Sequence, residues 1–591
     1  MAVMGLWLGF GTLGPAVIAL GWFFPGPLTA KLKALNLILV GVLGWEIWRE
    51  KTFRATISPV ELRPLEVLFI AIAVGGALVV GVACFSPITY YDSLVYHLAL
   101  PSLYNQAGNV IAVPSNLYSY FPAVIEMIFL FIINQLPEPD FVINLWGWGG
   151  SLALSVAVAA WARELGGKRA ATVAFFLWWT MPAVLFLSLG AYVDLPLGAF
   201  VFFAVRSFVT ARENSWDARW LLLSGLFCGF ASATKYTGAI CPVLLFVILV
   251  LACVGKRPVS IAKLAIFSAG AVMPPLIWFV KNASTVGNPF FPFFYKAFGG
   301  ASEWTSASAA GYFSQLTEYG HRSSVLNELL LVPWNLSAFA VKYGGGFDVL
   351  GDFGWPLLLF AAPMAFFLFP KQRDIKIISL YVLGHFLFWF TAKPVLRFLT
   401  GILPLAVMLS SIAIAGLLQS KGRARRWISV ALVSPWIVSN FFLYFYIGHG
   451  LQPFSVALGI ESRETYLSRR LVYYPAFAYS NAHLGPGSRI LLIGEQRTYH
   501  LKVPYLAANL FASSPIATVA NEADSLDDIA LFLKENTLTH LLINEKEIER
   551  LGGMVRFGFS EKGAALLGRF VASKTNIEFE NQHVKLIRIH T

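Results

Sequence analysis

SPITYYDSLVYHLALPSLYNQAGNVIAVPSNLYSYFPAVIE, residues 86–126, is the first long break in an otherwise apolar N-terminal third. It carries Asp92 in an amphipathic turn just beyond a long apolar run. If Asp92 begins a helix, Tyr96 lies four residues on, on the same face, with His97 beside it. Aromatic residues and prolines then crowd Tyr104 to Pro122. An acid held among Tyr and His at a membrane surface reads as a reaction site. It reads equally as an N-cap on a short surface helix flanked by interfacial tyrosines.

Working outward, the chain has 591 residues, 57% hydrophobic and 13% charged. A soluble domain carries about 25% charged residues. Long apolar runs recur from the N-terminus to about Gly448, the pattern of a polytopic helical membrane protein. The net charge of +12 sits largely in short loops between apolar runs, where membrane orientation accounts for it, so no nucleic-acid partner is implied. Cys84, Cys228, Cys241 and Cys253 lie in or beside apolar runs without metal-ligand spacing and read as packing residues. The run from Met1 to about Phe24 lacks a basic n-region and a small-residue cleavage site, and reads as a retained span.

The apolar runs predict about thirteen transmembrane helices. Basic clusters set their direction. Arg49, Lys51 and Arg54, then Arg163, Lys168 and Arg169, Arg212 and Arg219, Lys256, Arg257 and Lys263, Lys371, Arg373 and Lys376, and finally Lys421, Arg423, Arg425 and Arg426 alternate with the spans if all are cytoplasmic. That alternation leaves no room for Ala123–Ile133 as a crossing. At about a dozen residues it is also too short for ~30 Å of hydrocarbon, so it reads as a juxtamembrane helix in the outer interface. Asp92 and Asp194 then face outward, as does the C-terminus.

Residues 283–353 form a second outer loop, opening with GNPFFPFFYKAFGG. From Gly487 the chain reads as a small soluble α/β domain. SRILLIG (488–494), LTHLLIN (538–544) and HVKLIRI (583–589) are strands, and SLDDIALFLKENT (525–537) is an amphipathic helix with Ser525 as N-cap and Asp528 at its third position. Gly494 is followed by Glu495-Gln496-Arg497, so the phosphate-binding glycines of a dinucleotide fold are absent. The organisation is two N-terminal helices (1–63), a membrane core (64–448, with outer loops 86–140 and 283–353), a connector (449–486) and the α/β domain (487–591).

Outside the first loop, Asp194 lies between two apolar runs in LGAYVDLPLGAF, as a functional carboxylate or an N-cap before Leu-Pro. Lys235 in FASATKYTGA and Lys393 and Arg397 in FTAKPVLRFLTGILP stand at outer hairpins. Three cations there oppose the inward bias and suit a bound anion such as a phosphate, although a lysine at a rim also snorkels. Lys281 and Asn282 end the ninth span and can join them. Nine histidines form no H-E-x-x-H, and P-loop and G-x-S-x-G patterns are absent. Asp348 and Asp352 are too few to point to a metal, and no cofactor is expected.

In order, these features are an acid in the first outer loop, a proline-rich segment leading to a juxtamembrane helix, a second acid at a later outer end, T-K-Y-T-G, an N…GNPF-x-P element and an outer Arg in R-F-L…LP. The arrangement resembles the polytopic glycosyltransferase C superfamily, in the bacterial branch similar to protein O-mannosyltransferases and the lipid A aminoarabinose transferase, over roughly residues 64–420. Two positions depart from that pattern: Ser93 follows Asp92 where relatives often have Asp-Glu, and Tyr120-Phe121-Pro122 replaces a Lys-Pro-Pro. The resemblance implies transfer of a sugar from a polyprenyl-phosphate donor to an unidentified acceptor, at the outer face of a bacterial inner membrane. It implies that Asp92 acts as base or orients the acceptor, that Asp194 orients or braces, and that Lys235 and Arg397 hold the phosphate. Tyr96, His97, Tyr120, Lys281, Asn282 and Lys393 would be substrate-binding. The competing classes are a multi-pass transporter, which predicts broken helices and inverted repeats, and a glycan polymerase or ligase using lipid-linked sugars.

Overall fold

The computed structural model describes residues 1–49, 62–253, 260–302, 304–317, 325–338, 340–343, 355–392, 394–420, 422–424, 427–431, 433–434, 436–438, 452–508 and 513–590. A backbone in hydrocarbon must satisfy its own N–H and C=O groups, so the apolar runs fold as helices. Among the described residues seven are long and apolar enough to cross a membrane: Ala2–Trp22, Pro64–Ala83, Asp140–Thr180, Asp194–Glu213, Ile261–Val286, Arg373–Ala392 and Leu396–Gln419. Ile240–Cys253 and Trp355–Leu368 are shorter apolar helices. The chain is an integral membrane protein with a small C-terminal sheet. Most of the last expected span, 428–447, lies outside the described residues, as do Asp348 and Asp352.

The helix Asp140–Thr180 reverses at Gly167, whose φ is +82°, and so contains two of the expected spans. Its arms are tied by the indole N–H groups of Trp178 and Trp179, which donate to the Ser151 and Ser155 hydroxyls at 3.0 and 3.1 Å. At the end of the bundle where this reversal lies, Arg169 pairs with Glu66 at 3.2 Å and Arg212 pairs with Asp374. These ion pairs join connections that the basic pattern assigned to one face.

Two helices form the buried centre, Asp194–Glu213 and Leu396–Gln419. Their approach is close because Gly198 has no side chain: a Cβ there would lie 2.8 Å from the Thr400 carbonyl oxygen. Gly198 is one turn from Asp194, and Thr400 is one turn from Arg397, so this contact sets the two ionic side chains against each other.

The run 123–133 differs from the sequence reading in its burial. It forms the helix Val124–Gln135, but Val124 to Leu130 are all buried, on every face. An interfacial helix leaves one face to headgroups. The first two turns of this one are enclosed by protein, chiefly Ala2–Trp22 and Ala99–Gln106, and Phe131 to Gln135 are half-buried.

Beyond the membrane core lies a five-stranded sheet of order β2-β1-β3-β5-β4, with β1 Ile490–Ile493, β2 Tyr505–Ala507, β3 His540–Asn544, β4 Thr575–Glu580 and β5 Val584–Ile589. The first three strands in that order are parallel, and β5 runs antiparallel to both β3 and β4. One face packs Leu491, Leu541 and Ile587 against helices of the domain. The other packs Ile490, Leu492, Leu542 and Leu586 against Leu467, Leu471 and Phe477 of the connector and against Leu94 of the first loop. The Ser525–Asp528 capping box forms as its sequence predicts.

Candidate active site

Two loops meet at one end of the bundle. Asn144 draws them together: its amide donates to the Cys84 and Ser86 carbonyls at 3.2 and 3.0 Å, and its carbonyl accepts from Gly190 N–H at 2.9 Å. Gly190 has φ +77°, and a Cβ there would fall 2.2 Å from the Tyr90 ring. The Ser93 hydroxyl donates to the Gly190 carbonyl. Asp92 and Asp194, 102 positions apart by their numbers, are therefore carried on loops in direct contact.

Asp92 does not cap a helix. It precedes a π-helical turn, Ser93–His97, without accepting any N–H of that turn. Its Oδ2 accepts from the Tyr96 hydroxyl at 3.0 Å and from Arg397 Nη1 at 2.6 Å. Asp194, 1% exposed, accepts from Lys235 Nζ at 3.1 Å through Oδ1, and its Oδ2 lies 3.6 Å from Arg397 Nε. Lys235 stands 4.7 Å from the Phe398 ring centroid and Arg397 5.2 Å from that of Tyr192, so aromatic faces cover the cations.

The opposite wall adds a buried pair, His97 Nδ1 and Glu126 Oε1 at 2.6 Å, and Lys281. Lys281 donates to the Ser119 carbonyl at 2.7 Å and lies beside the rings of Tyr120 and Trp22. Between the walls is a cavity of about 310 Å³, lined by Asp92, Tyr96, Tyr118, Lys235, Lys281 and Arg397 among others.

Burial pushes the Asp92 carboxyl up, but the Arg397 guanidinium and His97 beside it hold it below the ordinary aspartate value. Burial and the Asp92 charge push the Tyr96 phenol well up, so it remains a donor. Two carboxylates and two cations balance around Arg397. Lys281 has no carboxylate partner among the described residues, and it leaves the cavity with a cation that an anionic ligand would neutralise.

The sequence-predicted residues divide. Asp92, Tyr96, His97, Lys235, Lys281 and Arg397 line the cavity. Asp194 stands behind Lys235 and Arg397 as their shared counter-ion. Tyr120 and Asn282 lie outside the lining: the Asn282 amide donates to the Tyr120 carbonyl at 2.7 Å and ties the loop to its helix, and the Tyr120 ring packs on Phe291. Lys393 is outside the described residues. Lys235 and Arg397, read from sequence as anion-holding, are engaged with carboxylates. Sequence reasoning passed over Tyr118, which stacks on Tyr96 at 4.0 Å, and Glu126. A carboxylate inside the apolar run 123–133 was a signal for Glu126. Tyr118 had none beyond its aromatic neighbourhood.

A family model described as "Domain of unknown function (DUF8201)" matches residues 151–404, a range holding Asp194, Lys235, Lys281 and Arg397. No curated protein matches the chain. Among solved structures, ArnT from Cupriavidus metallidurans in the apo state aligns over 88% of this chain and 97% of its own, at 14% identity and TM-score 0.51. The same protein bound to undecaprenyl phosphate aligns over the same shares at 13% identity and TM-score 0.48. The Archaeoglobus fulgidus oligosaccharyltransferase in the apo form aligns over 83% of this chain and 72% of its own, at 12% identity and TM-score 0.49. At such identities the likeness is one of fold. The chain shares the polytopic membrane fold of ArnT, in line with the fold that the sequence resemblance implied.

Proposed function

We propose that the chain is a membrane glycosyltransferase that moves a sugar from a polyprenyl-phosphate-linked donor to a lipid, glycan or protein acceptor, with inversion. The observation that carries this reading is the convergence of Asp92, Arg397 and Lys235, with Asp194 behind the two cations, on one cavity that also holds Lys281, in a chain with the fold of ArnT. The acceptor oxygen attacks the anomeric carbon as its bond to the phosphate oxygen breaks, and polyprenyl phosphate leaves with the bonding pair. Asp92 orients the acceptor hydroxyl and takes its proton. Because Arg397 keeps Asp92 a weak base, the proton moves late, once bond formation has acidified the hydroxyl. Lys281 is the primary cation for the phosphate, with Lys235 and Arg397 sharing its charge between carboxylate and phosphate as the bond breaks. Asp194 fixes both cations.

In this reading the cavity opens to the outer face of a bacterial inner membrane, with the C-terminal domain on the same side, and residues 64–448 form the catalytic core. The test is a transfer assay with purified protein and a panel of polyprenyl-phosphate sugars. Release of polyprenyl phosphate coupled to glycosylation supports the reading. Substrate movement across a vesicle without bond cleavage overturns it in favour of transport.

A further inference from the structure

The α/β domain closes on the first loop at a particular place in its own fold. The parallel strands run in the order β2-β1-β3, so the chain leaves β1 in one direction to reach β2 and returns on the other side as β3. The crevice beyond the carboxyl ends of β1 and β3 is the switch point of the sheet. Open α/β folds bind their ligands in such crevices.

Here the crevice is lined by charge. After β1 come Glu495 and Arg497, joined by two hydrogen bonds of 2.8 and 2.7 Å, with Glu495 buried. β3 ends on Asn544, whose amide donates to Glu495 at 2.7 Å, and is followed by Glu547, which accepts from Arg550 at 2.9 and 2.6 Å. The side chain that fills this crevice belongs to the membrane core. The Tyr91 hydroxyl donates to Glu547 Oε1 at 3.0 Å, and the guanidiniums of Arg497 and Arg550 stand 5.2 and 5.1 Å from the Tyr91 ring centroid. Arg497 lies also 4.5 Å from the Tyr473 ring of the connector. Burial, then the Glu547 charge, push the Tyr91 phenol up, so it stays a donor at any ordinary pH.

Tyr91 immediately precedes Asp92. Two residues after Asp92, Leu94 is fully buried in the apolar cluster under the face of the sheet that carries the connector. A second tie lies nearby: Asp140 accepts from Ile88 N–H of the loop at 3.3 Å, from Arg463 of the connector at 2.8 Å and from the Tyr499 hydroxyl at 2.7 Å. Asp92 is thus held from both sides by the C-terminal domain, while its carboxylate points at the membrane core through Arg397.

We infer that the ligand of the α/β crevice is the chain's own Tyr91, and that this grip makes Tyr91 and Glu547 positioning residues that hold Asp92 in place against the cavity. The effect on turnover rests on the glycosyl-transfer reading. The effect on the loop does not. Tyr91→Phe, Glu547→Gln and the double variant, with exposed Lys562→Gln as control, are compared by hydrogen–deuterium exchange and by transfer kinetics. Each single change should speed exchange in peptides spanning 86–98. It should lower kcat about tenfold or more with the donor KM unchanged, because misplacement rather than lost contact is at work. The double variant should be no worse than the worse single one. The Lys562→Gln protein should match wild type. Unchanged exchange over 86–98 in both single variants overturns the inference. A loosened loop with unchanged kcat overturns the positioning role. If wild type transfers no sugar from any lipid-linked donor, the reaction reading falls, and the exchange data alone judge the grip. Should Glu547→Gln not yield monodisperse protein, Arg550→Gln loosens the same contact from the surface side.

Discussion

Arg397 donates through Nη1 to Asp92 Oδ2 at 2.6 Å, across 305 positions of sequence. This contact joins the first loop to the start of the last buried helix, and the same guanidinium lies 3.6 Å from Asp194. One cation therefore sets the position of two acids. It also sets the chemistry of Asp92, because a carboxylate beside a fixed guanidinium stays ionised and gives up basicity. Asp92 is suited to orienting a hydroxyl and receiving its proton late. It is unsuited to drawing a proton off before attack.

Asp92 titrates below the ordinary value of 3.8 in the folded protein. A depressed carboxyl contributes stability that is present above the unfolded value and is lost as pH falls through the folded one. Transfer by wild type should show no acid limb from Asp92 between about pH 5 and 8. In Arg397→Gln the burial that pushes Asp92 up is less opposed, so its titration moves upward, and the residual rate should fall on the acid side of that window. A flat residual profile in Arg397→Gln would mean that His97 and Tyr96 suffice to keep Asp92 ionised.

Asp194 should matter first to stability. Asp194→Asn leaves Lys235 and Arg397 buried with one negative charge fewer, a loss on the order of 3–5 kcal/mol where one member of a buried pair is removed. Thermal unfolding in detergent should show the drop. Asp194→Asn combined with Lys235→Met should recover much of it, because the orphaned charge goes too. Equal stability of Asp194→Asn and wild type would remove the buried pair as a structural element.

Lys281→Met keeps the length of the side chain in its aromatic surroundings and removes the charge. Charge-assisted contacts contribute about 1.5–3 kcal/mol, so the donor KM should rise roughly 10- to 100-fold. Equilibrium binding of polyprenyl phosphate should weaken in parallel. Unchanged binding would confine Lys281 to holding the Ser119 carbonyl.

The helical membrane fold was legible because apolar runs of spanning length leave the backbone one solution, and the Ser525–Asp528 cap because its partners are three residues apart. Burial of Val124–Leu130 was not legible, since an apolar run looks alike against lipid and against protein. The residue types at the site were readable from polar groups set in apolar sequence. Their pairing was not: Arg397 read as a phosphate ligand, and its engagement with Asp92 depends on the close approach at Gly198 and Thr400. The strand Tyr505–Ala507 is too short to show an alternation, and Thr575–Glu580, which follows its helix without a break, alternates through only two apolar residues, Ile577 and Phe579.

Topology can be tested by cysteine labelling in a cysteine-free background. Exposed Ser306 reports on the second outer loop. Lys168, exposed beside the reversal at Gly167, reports on the opposite end. In intact cells an impermeant thiol reagent should reach Ser306→Cys, and Ser573→Cys in the α/β domain, but not Lys168→Cys. Labelling at Lys168→Cys would invert the alternation on which the outward placement of the cavity rests.

Asp92→Asn tests the centre of the reading. The amide keeps the size of the carboxylate, and its oxygen can still accept from Arg397 or from Tyr96, so the loop should hold its place. The Tyr91 and Leu94 contacts on either side are untouched. What the amide cannot do is accept a proton at neutral pH, and transfer should fall by roughly 100-fold or more. Polyprenyl phosphate binding should persist, because the phosphate is assigned mainly to Lys281. A purely architectural Asp92 predicts the reverse: near-normal turnover for Asp92→Asn, with lost stability for Asp92→Ala as Arg397 is left short of a partner. Monodisperse preparations of both variants, assayed for turnover and for unfolding temperature, separate the two. Turnover near wild type in Asp92→Asn would shift the proton's destination to another group on the cavity wall and reduce Asp92 to an anchor for Arg397.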